Sequence, residues 1–489
     1  MKRLPLILAL TLFSAPVRGQ DSLGVVRRTE ARLNPIAGEG QTLLYKGLPS
    51  YTSAAVGYNF RTEDEAFLPQ EGRGISEFVF EADAAHRLDK NTAVSGAASY
   101  RRGVKRDVFL NTSSDWELLY PYFTADTVGG NLQKEEYKFN GAYMRKFGAY
   151  FVGGKVDFRA LHEYRAADPR PRNITSDLGG IITAGLEMQN HALSADIKAG
   201  KYHQSGDVEF MDQRGYNTSI FHMTGLGQHY GRFAGSGSSM NVRYRGMTLG
   251  GAIRLEPLNG KGWFGELSYE GKRYIRHIKN QNEAPMSRLW VHDAALSAGR
   301  KTEDLLVEGI VNYQYRKGYE AVLDVKGAYL SLADLPLYGQ HRVRAEAIAV
   351  KSVGKWSFSP KAGFEMLSGA NLNPARSISI SAADASFGAQ RLERKGLWLT
   401  CLNASAEGHF TLSKSLSIPA GKTDAKLYDI YSALYSRWSG HWGGIALTAM
   451  AQREIGKDIS VFGKADAGGR IYSGGHNMII ANISIGLIF

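Results

Sequence analysis

The sequence predicts an all-β fold: a closed antiparallel transmembrane β-barrel of about 18 strands, with sixteen to twenty allowed, short turns at one end and long loops at the other. Three observations predict it. In the last stretch, Gly475 to Phe489, every second residue is apolar, Ile479, Ala481, Ile483, Ile485, Leu487 and Phe489, while the other face, Met478, Ile480, Asn482, Ser484, Gly486 and Ile488, is smaller and more polar toward its middle. Period two means a strand with one face in an apolar medium. Second, tight turns alternate along the chain with long irregular stretches. Third, a secretory leader precedes a chain with no apolar run near eighteen residues, so a membrane would have to be crossed by strands.

The leader is residues 1–19. Lys2 and Arg3 precede the apolar run Leu4–Phe13, and Val17 and Gly19 stand at the small-residue positions of a cleavage site. Residues 20–48 are expected to be a short periplasmic helix or a tail entering the lumen. The first strand pattern begins at Tyr51, so no globular plug domain is expected ahead of it. Residues 49–489 make the barrel.

The first strand, about Tyr51 to Arg61, sets Ala54, Val56, Tyr58 and Phe60 on its apolar face. The second, about Ile75 to His86, sets Phe78, Phe80, Ala82 and Ala84 outward and Glu77, Glu81 and Asp83 inward. Three carboxylates on one face are costly in a dry core and tolerable in a wet lumen. Leu88–Asn91 makes a tight turn. A strand to about Arg101 and an irregular stretch from Gly103 to Glu135 come next. Strands near Tyr137–Arg145 and Tyr150–Arg159 follow, the latter with Arg159 inward. Leu178 to Met188 and Leu193 to Ile197 make two further outward rows. The longest loop is placed at Gln204–Ser238, with Gly225–Gly231 read as a flexible loop. A hairpin at Met240–Arg245 and Met247–Leu255 would point Arg243, Arg245 and Arg254 inward. Later strands are read at Leu305–Tyr315, Ala321–Tyr329, Arg342–Val350, Trp356–Met366, Trp398–Phe410, Leu427–Trp438, Trp442–Gln452 and Ile459–Tyr472.

The final strand carries a resemblance. Asn482, Ser484, Leu487 and Phe489 are similar to the C-terminal assembly signal of bacterial outer-membrane β-barrel proteins, with Ser484 where glycine is usual. The resemblance implies an outer-membrane location, a Gram-negative source, capture of the last strand by the barrel-insertion machinery, and a lipid environment.

The formal charge of +12 falls to +9 without Lys2, Arg3 and Arg18. There is no basic cluster interleaved with aromatics, so nucleic acid is not an expected partner. Inward Arg159, Arg243, Arg245, Arg254, Arg342 and Arg344 would form a basic ladder, but Glu77, Glu81, Asp83, Glu308, Asp324 and Glu346 oppose it. A salt-bridged, solvated wall is the simpler expectation. The lone Cys401 reads as a small strand residue. His203, His222 and His229 have no close ligand pair of metal-site spacing. No cofactor, metal or Ser/His/acid set is expected. Function stays open among three classes: a porin-like channel or transporter for small solutes, a barrel whose loops bind a ligand or an outer-membrane or periplasmic protein partner, and an outer-membrane enzyme. The first is preferred.

Overall fold

The computed structural model describes Leu33 and residues 50–211, 220–230, 241–279, 283–324, 330–419, 425–456 and 458–489. The leader and the rest of the N-terminal segment lie outside these residues.

Eighteen antiparallel strands close into a barrel. In chain order the strands are β1 (Tyr51–Glu63), β2 (Gly74–Arg87), β3 (Thr92–Val108), β4 (Thr124–Ala125), β5 (Gly130–Phe147), β6 (Tyr150–Tyr164), β7 (Arg170–Glu187), β8 (His191–Glu209), β9 (Phe221–Gly225), β10 (Gln228–His229), β11 (Val242–Pro257), β12 (Gly262–Ile278), β13 (Ala284–Lys301), β14 (Leu305–Leu323), β15 (Ser331–Val353), β16 (Trp356–Leu372), β17 (Ala375–Lys395), β18 (Trp398–Ser417), β19 (Trp442–Glu454), β20 (Ser460–Tyr472) and β21 (Asn477–Ile488). The short β4, β9 and β10 form a separate three-stranded sheet and are not staves of the wall. The helices are α1 (Trp116–Leu119) and α2 (Ala425–Trp438).

Closure rests on β1 and β21, which pair from Ser53↔Ile488 to Glu63↔Met478. Thr52 and Phe489 then exchange backbone hydrogen bonds of 2.8 and 2.9 Å. No wall edge is left open to lipid. The outward rows read from the sequence are observed: Val56, Tyr58, Phe78, Phe80, Ile182, Ile197, Ile483 and Ile485 are all exposed. Large apolar side chains exposed around the whole circumference require a hydrocarbon surround. At the turn end Phe147, Trp263, Trp356 and Trp398 form an outward aromatic belt. Arg145, Arg300, Arg391 and Arg453 lie over those rings at 5.2 to 5.7 Å. Aromatic rings beside cations suit the headgroup layer.

Five sequence readings change. Met240 lies outside the described residues, and from Val242 on the hairpin read at 240–255 is the single strand β11, which runs past Gly246 without a register break. Gly246 is there for space: a Cβ would meet the Tyr274 ring at 2.6 Å and Tyr202 Cβ at 2.9 Å. The stretch Leu427–Trp438 is helical, not a strand, with Leu427, Tyr431 and Leu434 buried at helical spacing. Ala321 to Leu323 end β14, and 325–329 lie outside the described residues. β17 is an additional strand. The irregular stretch is also shorter than expected, because β3 reaches Val108 and β5 begins at Gly130.

Candidate lumenal site

The connection 109–129 does not stand outside the barrel. It turns into the loop end of the lumen, and its β4 pairs with β9 at Thr124↔His222 and Ala125↔Phe221. The Gly225–Gly231 stretch, read as a flexible loop, contains the tight turn between β9 and β10, with positive φ at Gly225, Leu226 and Gly227. Trp116, Leu119, Tyr122, Phe123 and Ala125 of this insert form one core with Met223 and with the inward Tyr202, Tyr244, Tyr274, Leu289 and Val291 of the wall. Tyr431 and Leu434 of α2 join it from above. Tyr122 rests on Gly318, where any Cβ would meet its hydroxyl at 2.4 Å.

Polar side chains of the wall hold the insert by its backbone. Arg276, fully buried, donates to Phe123 O at 3.3 Å and Met223 O at 3.2 Å and lies over the Tyr122 ring. Asn173 donates to Thr112 O (2.8 Å), Arg316 to Glu117 O (2.8 Å) and Tyr120 O (2.9 Å). Asn371 donates to Gly225 O (2.9 Å) and Arg376 to Leu226 O (2.7 Å). Arg165 and Asp126 make a buried ion pair of 2.7 Å. Asp115 accepts from Arg159 and from Tyr202 Oη. These partners come from β6, β7, β8, β12, β14, β16 and β17, so the insert is tied across much of the circumference.

Two cavities lie on the β8–β20 side, and a third, of about 380 Å³, lies between the insert and β1–β3. One, of about 530 Å³, lies between the insert and β14–β20. Trp116, Tyr120, Tyr338, Trp438 and Trp442 line it, together with Arg316, Arg342, Arg344, Lys361 and Arg470 and with Glu117, Glu365, Asp384 and Glu407. Five cations against four carboxylates do not make an anion funnel. The second cavity, of about 640 Å³, lies along β8 and β11–β15. Gln314, Arg342 and Arg344 line both, so the two adjoin there.

Most of these charges are paired, as a solvated wall requires. Arg342 pairs with Glu365 (2.8 Å), and Arg344 and Lys361 share Glu346 (2.7 and 2.8 Å). Arg254 bridges Asp196 and Glu266, both at 2.5 Å. Glu77 takes Lys134 at 3.3 Å and Arg101 at 3.5 Å, Glu81 takes Arg101 at 2.8 Å, and Asp83 accepts from Ser53. Among the described residues Arg316 forms no ion pair.

Arg159, Arg254, Arg342, Arg344, Glu77, Glu81 and Asp83 face the lumen. Arg243 and Arg245 do not. Tyr244 is buried against the insert and Met247 is exposed, so odd positions of β11 point outward and Arg254 alone of the three points in. The inward assignment depended on a turn at Gly246. At the other end of the chain, Leu487 and Phe489 lie on the exposed face of β21 and its terminus. Asn482 and Ser484 have the opposite parity.

Sequence reasoning missed His409 and Asp384, directly opposite on β17 and β18 and bonded at 2.7 Å, with His409 stacked on Trp442. This is two thirds of a Ser/His/acid set. Ser386 lines the same cavity, but among the described residues no hydroxyl is hydrogen-bonded to His409. At the turn end, Leu33 packs on the inward Leu399, Cys401 and Met450, and its carbonyl accepts from Gln390 at 2.7 Å.

Fold and site together define a transmembrane β-barrel of the outer-membrane class with a loop insert folded into its lumen. The chain belongs to the family of unknown function DUF6850, whose model matches residues 41–489. No curated protein sequence matches it. Among solved structures it is similar to the FrpB iron transporter from Neisseria meningitidis, at 9% identity over 90% of this chain and 82% of that one, TM-score 0.45. It is also similar to BauA, the ferric preacinetobactin receptor from Acinetobacter baumannii (8%, 89% and 80%, 0.43), and to the ferric yersiniabactin uptake receptor FyuA from Yersinia pestis (9%, 90% and 79%, 0.42). Nothing about cargo follows from likeness at this level.

Proposed function

We propose that the protein is a gated outer-membrane channel or transporter for small polar solutes, with the insert as its gate. The observation that carries this reading is the adjacency of the two cavities along Gln314, Arg342 and Arg344. A solute released from the upper cavity would meet polar, charge-paired walls below it. Alternating cations and carboxylates beside aromatic rings suit uncharged or zwitterionic solutes, such as sugars or peptides, better than simple anions. The His409–Asp384 pair orients an imidazole over Trp442 and is assigned a binding role, not a catalytic one.

Arg316 supplies the test. It is the cavity-lining cation whose donors go to insert carbonyls at Glu117 and Tyr120. Arg316→Ala should raise single-channel conductance in planar bilayers above that of the wild type. If neither Arg316→Ala nor deletion of residues 112–126 conducts, the lumen is sealed for another purpose. The reading of a barrel that binds a protein or ligand through its loops then replaces transport.

A further inference from the structure

The outer face of β8, β11 and β12 carries a cluster that the lumen does not use. Beyond the exposed Ile197, Leu249 and Leu267, the next outward row is Lys201, Met247 and Arg273. His203 and Arg245 lie one row farther toward the loop end, then Arg243 and His277. Lys201, His203, Arg245, Met247, Arg273 and His277 border an outer depression of about 580 Å³ whose floor includes Gly246, with Arg243 just beyond it.

The charge there is one-sided. Arg243 and Arg245 share the carboxylate of Glu283, and Lys279 pairs with Asp207 at 2.5 Å. Among the described residues Lys201 and Arg273 form no ion pair, and the Arg273 guanidinium lies over the Trp290 ring at 5.6 Å. Five Lys and Arg side chains thus face two carboxylates.

Its height is fixed by β12. Trp263 in the turn-end belt and Arg273 are both outward on this one strand. The ten-residue separation, at roughly 3.3 Å per residue and about 40° of tilt, spans about 25 Å of membrane normal. That is the thickness of the apolar band, so the cation row stands at the loop-side interface. Cations there are stable beside anionic headgroups and costly beside hydrocarbon.

We propose that this patch binds a multiply phosphorylated lipid headgroup in the loop-side leaflet. Lys201 and Arg273 stand two strands apart, about 10 Å by backbone spacing, a span suited to two phosphates of one headgroup and too wide for a single carboxylate. Exposed Met247 and Leu249 between and below them offer an apolar surface to its acyl chains. A soluble anion would have no use for that surface.

The probe is lipid A, a doubly phosphorylated glycolipid, titrated onto the full-length chain in detergent and read by native mass spectrometry. Lys201→Gln and Arg273→Gln should each weaken retention by roughly fivefold, and the double variant by the product. Lys355→Gln at the opposite end should change nothing. Heat-modifiable migration reports folding, and the single variants keep the test readable if the double variant does not fold. Retention unchanged in both single variants, or equal retention of the dephosphorylated glycolipid, overturns the proposal. Displacement by equimolar inorganic pyrophosphate also overturns it, since the site would then belong to a soluble anion.

Discussion

Asp126→Asn should undock the insert and leave the barrel standing. Asp126 Oδ2 faces Arg165 at 2.7 Å, and both side chains are essentially inaccessible, at 0% and 1%. Its Oδ1 accepts from the Val128 and Gly129 amides at 2.8 and 2.7 Å. Asparagine keeps an acceptor for those amides, so the substitution removes little besides the charge. It strands the Arg165 guanidinium in a dry site, which costs about 3–5 kcal/mol. At about 1.4 kcal/mol per tenfold, the docked-to-undocked ratio falls by roughly two to four powers of ten. The loss cannot exceed the insert's own docking free energy, because no wall ladder involves Asp126. Hydrogen exchange of the 109–129 backbone should quicken by that factor while β12 and β13 stay protected. Asp126→Asn with Arg165→Met removes the stranded charge too and should restore most of the protection. Unchanged exchange in the single variant, or a double variant no better than the single, would refute the claim that this pair holds the insert.

Leu447 and Thr448 are consecutive on β19 and face lipid and lumen respectively. Leu447→Arg should cost about 2–4 kcal/mol near the midplane, and Thr448→Arg, beside Asp466, much less; equal losses in liposome unfolding would contradict the assigned faces. Deleting Phe489 removes a partly exposed ring and the two hydrogen bonds to Thr52, less than the roughly 3–5 kcal/mol of a fully buried ring. Refolding into detergent should therefore succeed. Assembly in cells should fail if the residue is also the capture signal, and normal cellular assembly would remove that role. Leu33 packs against the cluster of Leu399, Cys401 and Met450, and Cys401 is the chain's single cysteine; Leu33→Cys should form a disulfide on mild oxidation, seen as a shifted band that Cys401→Ser abolishes. No shift would place Leu33 elsewhere in the assembled protein.

Strands whose lipid face is uniformly apolar were legible in the sequence: β1, β2, β6, β7, β8, β20 and β21 all show the alternation that lipid imposes. β17 was not, and its inversion explains why. Its lipid row is Ser379, Ser381, Ala383, Ala385 and Phe387, small and weakly apolar. Its lumen row begins Ile378, Ile380 and Ala382, because these pack under α2 and Leu226. Period-two reasoning assumes a wet lumen, and the insert makes this part of it dry. The same fact hid the site. Trp116, Leu119, Tyr122 and Phe123 are an apolar set in a stretch without strand periodicity. That composition signals burial, but alternation along the wall strands cannot say where. α2 was legible in principle, since Leu427, Tyr431 and Leu434 keep helical spacing.

The lumen is asymmetric, and the asymmetry says which side would open. On β8, β11, β12 and β13 the inward residues at insert height are Tyr202, Tyr244, Tyr274, Leu289 and Val291, an apolar bed that Arg276 rivets through two carbonyls. On β14 to β18 the same height carries Arg316, Gln340, Arg342, Glu365 and His409 around a cavity, beside the smaller core that Ile378 and Ile380 make with Leu226. Separating the insert from the first side would expose aromatic surface at roughly 25 cal/mol per Å² and strand a buried guanidinium. Separating it from the second would break four carbonyl bonds, at about 0.5–1.5 kcal/mol each, and the contact of Leu226 with Ile378 and Ile380, a smaller apolar surface than the bed on the first side. The cheaper motion is therefore a swing about β11–β13 with Arg316 as the latch. It would widen the cavity where the two chambers already adjoin, along Gln314, Arg342 and Arg344.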